Sequence, residues 1–331
     1  MVPHMAPEEC SGEALPNGSL PVVPLTVIVP AYNEQDSVVE TVTQICRVLD
    51  EAGGEFEVLA VDDCSTDGTL QRLLAVEHPR LRVLRHGRNR GYGAALKTGI
   101  VAAATPLVAI TDADGTYPNQ RIPEFARLIG ERAMLVGART GGNVHIPLVR
   151  RPPKWVIGVL ANYLSQYKIP DLNSGLRVMR RDMLLRYLHI LPDGFSFTTT
   201  ITLALLTRGE EVEFVPIDYA KRVGRSKIRP IRDTLNFLQL IIRTVLLFEP
   251  LRVFVPIALL LFLGAAVVFA ASALWLPRIL DTTAMLLAVG GLQILGVGMI
   301  ADMINRRLGG FPSAASGGNA PPAAPGKDDP P

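Results

Sequence analysis

The sequence predicts an α/β domain with a mainly parallel sheet, followed by a membrane hairpin. From Leu25 onwards, short apolar runs alternate with segments of helical periodicity, a pattern typical of parallel α/β folds. Polar clusters follow the ends of several runs, where open α/β sheets bind their ligands. Near the C-terminus, residues 253–276 and 282–301 lack charged side chains, and each stretch can cross a hydrocarbon layer of about 30 Å. We therefore expect a ligand-binding domain tethered to a membrane.

The predicted sheet and helices alternate along the chain. Strands are expected at residues 25–29, 56–61, 81–85, 107–111, 133–137 and 212–217, with a further short strand after the loop that begins at residue 171. Helices are expected at residues 37–51, 67–77, 92–104, 155–167, 181–190 and 198–208. The chain then divides into a disordered tail (1–24), the catalytic domain (25–228), an interfacial amphipathic helix (229–250), two transmembrane helices (251–307) and a second disordered tail (308–331).

Composition and charge narrow the classes of partner. Hydrophobic residues make up 48% of the 331 residues, which is high for a wholly soluble protein. A net charge of +2 argues against nucleic acid as a partner, because a duplex binder normally carries a basic face. The three cysteines have neither metal-site spacing nor an even framework, so we expect no disulfide and a reducing compartment.

The flanking charges predict the orientation of the hairpin. Basic residues precede the first span and follow the second, whereas Arg278 alone lies in the loop at residues 277–281. By the positive-inside rule both termini and the α/β domain are expected to face the cytosol in an integral membrane protein with two spans, and in a prokaryote that membrane would be the cell membrane. Residues 229–250 read as a helix lying in the interface, or else as an ordinary amphipathic core helix. Glycines of the second span suggest contact between copies, and hence a homo-oligomer: Gly290, Gly291, Gly296 and Gly298.

Two acids at the end of one predicted strand are the first candidates for chemistry. Asp112 and Asp114 follow the apolar run at residues 106–110. Two carboxylates at this spacing can share a hard cation, and Mg²⁺ or Mn²⁺ is normally held by few carboxylates together with substrate phosphates. The pattern therefore favours a diphosphate ligand, although Asp-x-Asp-Gly is also a good turn sequence.

Two familiar nucleotide-binding patterns are absent from the sequence. No Walker Gly-x-x-x-x-Gly-Lys-Ser/Thr sequence occurs, and the stretch from Gly87 to Gly93 does not match the dinucleotide pattern Gly-x-Gly-x-x-Gly. A kinase or a dehydrogenase is therefore disfavoured. His86 and His145 are expected to be structural or solvent-facing rather than catalytic.

Six motifs follow one another in order along the chain: Ile28-Val-Pro-Ala-Tyr-Asn-Glu34, Val61-Asp-Asp-Cys-Ser-Thr-Asp-Gly-Thr69, Asn89-Arg-Gly-Tyr-Gly93, Asp112-Ala-Asp114, Asp171-Leu-Asn-Ser-Gly-Leu-Arg177 and Arg222-Val-Gly-Arg-Ser-Lys227. Together they resemble the motifs of inverting family-2 glycosyltransferases with a GT-A fold, and more narrowly those of the polyprenyl-phosphate glycosyltransferases such as the dolichyl-phosphate mannose synthases. The resemblance covers about residues 25–248, and it implies a nucleotide-sugar-binding domain.

The resemblance implies roles for individual residues. The nucleoside pocket would be lined by Pro30, Tyr32, Glu34 and Asp63. Asp112 and Asp114 would meet the metal and the diphosphate. The acceptor phosphate would be surrounded by Arg139, Ser174, Arg222 and Lys227. Thr116 stands where many mannose synthases carry Gln, so the resemblance supplies neither a third metal contact nor mannose as the sugar.

The expected function is transfer of one hexose from a nucleotide sugar of the GDP-mannose or UDP-glucose type to dolichyl or undecaprenyl phosphate. The phosphate needs positive charge rather than a strong base, because its second pKa is near 6. Arg222, Arg225 and Lys227 supply that charge, or form a basic stripe for anionic headgroups. Two alternatives remain: a processive polysaccharide synthase, whose Gln-x-x-Arg-Trp motif is absent, and a catalytically idle membrane scaffold.

Overall fold

The computed structural model describes residues 23–140, 169–220, 246, 250–275 and 279–308. The chain divides into two compact units, Met1–Thr244 and Val245–Pro331. Several expected features lie outside the described residues: nearly all of the two tails, the helix at residues 155–167, nearly all of the interfacial helix at 229–250, and the basic residues Arg222, Arg225 and Lys227.

The first unit contains a seven-stranded sheet in the order β3-β2-β1-β4-β6-β5-β7. Its strands are β1 (Leu25–Ala31), β2 (Phe56–Asp62), β3 (Leu81–Arg85), β4 (Leu107–Ile110), β5 (Met134–Ala138), β6 (Arg177–Arg180) and β7 (Val212–Pro216). All neighbouring pairs are parallel except those of β6, which runs antiparallel to both β4 and β5. The expected mainly parallel α/β sheet is therefore confirmed.

Helices cover both faces of the sheet. They are α1 (Val38–Ala52), α2 (Thr69–Leu74), α3 (Tyr92–Ala102), α4 (Ile122–Leu128), α5 (Arg181–Tyr187) and α6 (Phe197–Thr207). One core cluster joins α1, α2 and α4 to the sheet, and a second cluster joins α3, α5 and α6 to its other face. Because both faces are covered, central strands such as β1 are buried along their whole length, which explains their continuous apolar runs.

The direction of strand β6 determines which loop lies at the ligand-binding edge of the sheet. Its first residue, Arg177, pairs with Ile110 at the end of β4. The loop that precedes β6, residues 171–176, is therefore brought to the carboxyl end of β4, beside the turn that contains Asp112 and Asp114. This proximity follows from strand direction, because an antiparallel neighbour presents its amino end where parallel strands present their carboxyl ends.

The second unit contains two long apolar helices, α7 (Leu251–Trp275) and α8 (Ile279–Leu308). Their apolar segments, Leu251–Ala273 and Thr282–Ile304, are long and apolar enough to span a membrane. Helix α8 begins at Ile279, within the stretch expected as a loop at residues 277–281.

Three of the four glycines expected to contact other copies lie close to the first helix of the same hairpin: Gly290, Gly291 and Gly298. A Cβ atom placed on Gly298 would lie 2.6 Å from Cβ of Phe254, and one placed on Gly291 would lie 3.0 Å from the ring of Phe262. The small residues let the two helices approach each other within one hairpin, which is how glycine commonly acts between apolar helices.

Candidate active site

The turn after β4 fixes the second of the two candidate carboxylates. Gly115 has φ +69°, a left-handed conformation that glycine adopts at little cost, and it lets the chain reverse directly after Asp114. Oδ1 of Asp114 accepts hydrogen bonds from the amide of Thr116 at 3.2 Å and from its hydroxyl at 2.6 Å. Thr116 therefore orients Asp114. The resemblance to mannose synthases, many of which carry Gln at this position, does not predict this role.

Asp112 is held from two sides. The phenol of Tyr92, at the start of α3, donates to Oδ1 of Asp112 at 3.0 Å. On the other side, a Cβ atom placed on Gly175 would lie 2.8 Å from both carboxylate oxygens, so any larger residue there would displace Asp112. Burial of the phenol and the nearby charge of Asp112 together raise the pKa of Tyr92 well above its ordinary value. Tyr92 is therefore a neutral donor that fixes the rotamer of Asp112.

The loop at residues 171–175 is tied to the end of β5 by a bidentate ion pair. Nε and Nη2 of Arg139 lie 2.7 and 2.9 Å from the two oxygens of Asp171, and the Arg139 amide also donates to this carboxylate. Burial opposes both charges, but the paired hydrogen bonds prevail: the pKa of Asp171 is lowered and that of Arg139 is raised. Arg139, whose guanidinium is expected at the acceptor phosphate, therefore uses Nε and Nη2 to bind Asp171.

A second arginine supports the same loop from beneath. Arg177 is fully buried, and it donates to the carbonyl oxygens of Ser174 and Leu172, each at 2.8 Å, and to the hydroxyl of Thr202 at 2.5 Å. Burial lowers the pKa of Arg177 to about 10, so the side chain stays charged at neutral pH. The cation holds the loop in place and contributes positive potential at the site.

Ser174, which is expected to contact the acceptor phosphate, has a hydroxyl without a hydrogen-bond partner among the described residues. The residue is fully buried. Buried hydroxyls are normally paired, so an unpaired one at a candidate site indicates a place for a ligand oxygen or a water molecule. Ser174 directly precedes Gly175, which lies against Asp112.

The residues expected around the nucleoside lie at the ends of β1 and β2. Pro30 is buried in β1, Tyr32 is 37% exposed, and Glu34 lies in the loop from β1 to α1. This loop is fastened to the β2–α2 loop, because the Asn33 amide donates to the hydroxyl of Ser65 at 3.0 Å, and the Glu34 amide donates to the hydroxyl of Thr69, at the start of α2, at 2.9 Å. The two loops therefore form one wall of the cleft.

Asp63 is placed differently from the other nucleoside candidates. It is 3% exposed, and its Oδ1 lies 2.7 Å from Nδ1 of His86. Its oxygens also accept from the amides of Arg90 at 2.8 Å and Gly91 at 2.7 Å. Asp63 thus holds the loop before α3. His86, whose Nε2 lies 2.9 Å from the hydroxyl of Thr98, has the structural role expected of it.

The two carboxylates are suited to a divalent metal that is completed by a ligand. Among the described residues, no group of three or more His, Cys, Asp or Glu side chains could hold a metal. Mg²⁺ and Mn²⁺ do not need such a group, because one or two carboxylates with phosphate oxygens suffice. Asp112 and Asp114, both fixed by hydrogen-bond donors, fit this arrangement.

Two family models and several named proteins match the sequence of this chain. Residues 26–188 match the model of glycosyl transferase family 2, and residues 249–306 match the GtrB C-terminal hairpin. The dolichyl-phosphate hexose transferase of Haloferax volcanii is 31% identical over 210 residues, covering 62% of this chain and 87% of that protein. The undecaprenyl-phosphate 4-deoxy-4-formamido-L-arabinose transferase of Yersinia pestis is 26% identical over 302 residues, covering 86% of this chain and 89% of that protein.

Solved structures show the same fold at lower sequence identity. Glucosyl-3-phosphoglycerate synthase from Mycobacterium tuberculosis in complex with UDP is 17% identical, with a TM-score of 0.52, covering 67% of this chain and 80% of that one. The same synthase with Mn²⁺, UDP and phosphoglyceric acid is 19% identical, with a TM-score of 0.51, covering 67% and 78%. The expected GT-A fold is thereby confirmed.

Proposed function

The chain belongs to glycosyl transferase family 2, and we propose that it transfers a single hexose from a nucleotide sugar to a polyprenyl phosphate. The donor is of the GDP-mannose or UDP-glucose type, the acceptor is dolichyl or undecaprenyl phosphate, and the configuration at the anomeric carbon is inverted. The observation that carries the proposal is the pair Asp112 and Asp114 at the carboxyl end of β4, each oriented by a hydrogen-bond donor, with Gly175 packed against Asp112.

The donor end of the site is assigned to the wall formed by the loops after β1 and β2. Pro30, Tyr32 and Glu34 contact the base and ribose, while Asp63 keeps the loop before α3 in position. Asp112 and Asp114 hold Mg²⁺ or Mn²⁺ together with the diphosphate. The metal, when bound, neutralises charge on the departing nucleoside diphosphate. Tyr92 and Thr116 keep the two carboxylates in the required orientation.

The acceptor end needs positioning and positive charge rather than a base. A phosphate monoester has a second pKa near 6, so its oxygen is already a nucleophile at neutral pH. That oxygen forms the new bond to the anomeric carbon as the bond from this carbon to the diphosphate oxygen breaks, and no proton has to be removed. Ser174 donates its hydroxyl to the phosphate, and Arg177 adds charge from beneath the loop.

The remaining basic residues complete the acceptor site in this proposal. Arg222 and Lys227, outside the described residues, are assigned to the same phosphate, whereas Arg139 acts through Asp171. Two candidate spans and the charges that flank them support a membrane location with the catalytic domain and both termini on the cytosolic side. The assignment of residues 229–250 to an interfacial helix stays a prediction.

A transfer assay tests the proposal. Purified protein in detergent is given radiolabelled UDP- and GDP-sugars with undecaprenyl or dolichyl phosphate, and label is followed into the lipid phase with and without EDTA. We expect one donor to be productive, dependence on Mg²⁺ or Mn²⁺, and loss of label with Asp114→Asn. Release of nucleotide without lipid-linked label from any donor would contradict the assignment. If the wild type and the variant bind nucleotide equally and neither transfers sugar, the result would favour the alternative of a catalytically idle membrane scaffold.

A further inference from the structure

An exposed aromatic side chain stands beside the candidate active site. Phe195 lies in the connection between α5 and α6 and is 83% exposed, although Phe197, two residues later, is completely buried. Single exposed apolar residues are common, so exposure alone indicates nothing. The way in which the backbone and the ring of Phe195 are held is what distinguishes it.

The loop that carries Phe195 is fixed against the start of α3. The carbonyl oxygen of Asp193 accepts a hydrogen bond from the amide of Ala94 at 3.0 Å, and its carboxylate lies 2.7 Å from Nζ of Lys97. The contact is so close that a Cβ atom placed on Gly93 would lie 2.2 Å from the carbonyl oxygen of Pro192. The phenyl ring therefore projects from an anchored backbone.

The ring of Phe195 is linked to the candidate metal site through one residue. It stacks on the ring of Tyr92 with centroids 5.5 Å apart and an interplanar angle of 17°. The phenol of Tyr92 in turn donates to Oδ1 of Asp112 at 3.0 Å. An apolar surface thus begins one side chain away from the carboxylates assigned to the diphosphate.

We propose that Phe195, supported by Tyr92, is the platform that binds the first isoprene units of the acceptor lipid. The inference rests on the proposed function. The nucleotide and the hexose carry hydroxyl, amide and phosphate groups, whereas the acceptor carries a long hydrocarbon attached directly to the attacking phosphate. That phosphate has to meet the anomeric carbon beside Asp112, so its hydrocarbon leaves the site within reach of these rings. Covering an exposed phenyl face removes apolar surface from water.

The test compares Phe195→Ala with wild type on acceptors of different length. Covering one face of the ring contributes about half of the effect of full burial, so we expect the KM for polyprenyl phosphate to rise about tenfold, or ~1.4 kcal/mol. The KM for the donor and the slow hydrolysis of the donor without lipid should be unchanged. Phe195→Tyr should retain the wild-type acceptor KM. Leu74→Ala, which truncates a side chain that is 64% exposed on α2, is the matched control.

The acceptor series separates the platform from other roles of the ring. A short, water-soluble isoprenyl phosphate should show the same rise in KM for Phe195→Ala, because only the first units contact the ring. An effect restricted to vesicle-bound acceptor would mean that Phe195 inserts into the bilayer, and would overturn the proposal. So would a changed donor KM, which would assign the ring to the hexose, or no change at all. Wild-type protein that glycosylates no polyprenyl phosphate would instead refute the proposed function, and the platform with it.

Discussion

Replacing Gly175 by alanine should displace Asp112 without removing any polar group. The added Cβ atom would lie 2.8 Å from each carboxylate oxygen and 2.9 Å from the carboxyl carbon. Gly175 is not among the glycines with positive φ, so alanine is compatible with its backbone conformation, and the steric contact is the whole perturbation. The variant therefore isolates the position of one carboxylate.

The expected loss of activity follows from the steric overlap between the added Cβ atom and the carboxylate of Asp112. Ordinary carbon–oxygen contacts begin at about 3.3 Å, so Asp112 or the loop has to move by about 0.5 Å. Misplacing a reacting or metal-binding group by 1 Å can cost about a hundredfold, and we expect kcat/KM to fall about 10- to 100-fold. Overpacking of this kind also lowers the free energy of unfolding by about 1–3 kcal/mol.

The assay measures lipid-linked product and binding of nucleoside diphosphate in the presence of Mn²⁺. Gly87→Ala is the matched control, because nothing lies within 4 Å of the added Cβ atom there. Thermal unfolding shows whether a loss of activity comes from the site or from the fold. If Gly175→Ala folds normally, has wild-type kcat/KM and binds the diphosphate with unchanged dependence on Mn²⁺, Asp112 does not hold the metal.

Three further variants test the supports of the site and of the hairpin. Tyr92→Phe keeps the ring but removes a hydrogen bond to a carboxylate, so metal-dependent nucleotide binding, measured by calorimetry, should weaken about tenfold or more; unchanged binding would assign Tyr92 to packing alone. Asp171→Asn leaves Arg139 partly buried without its counter-charge and should cost about 3 kcal/mol at neutral pH. Because the pKa of Asp171 is lowered by folding, this difference should be constant above pH ~4 and shrink below it, as urea unfolding at several pH values would measure; a pH-independent difference would contradict the ion pair. Gly298→Leu should lower the thermal stability of the hairpin in detergent by about 1–3 kcal/mol, whereas Gly296→Leu, where nothing lies within 4 Å, should have little effect.

Local patterns account for the elements that the sequence predicts well. The strands β1, β2 and β3 match their expected positions to within two residues, because their apolar runs are bounded by polar turns. Helix α4 is absent from the prediction, although Ile122, Phe125, Ala126 and Ile129 have helical spacing and are buried. Pro123 obscures it, yet proline is tolerated in the first turn of a helix.

The site is predictable only where its residues are close in sequence. Asp112 and Asp114 are identifiable from their spacing, but the donor to Asp112 lies in α3 and the donor to Asp114 is Thr116, which carries no signal of its own. Gly175 reaches Asp112 because β6 is antiparallel, and strand direction is a property of the whole sheet. The stacking of Phe195 on Tyr92 is likewise a contact between residues distant in the chain.

Locating the metal tests the central claim most directly. Crystals grown with Mn²⁺ and a nucleoside diphosphate give an anomalous signal that marks the ion independently of any assay. We expect one strong peak at about 2.0–2.3 Å from oxygens of Asp112 and Asp114 and from the diphosphate, and we expect this peak to be absent with Asp114→Asn. A diphosphate bound without a peak between these carboxylates, or a peak elsewhere in the domain, would contradict the central claim.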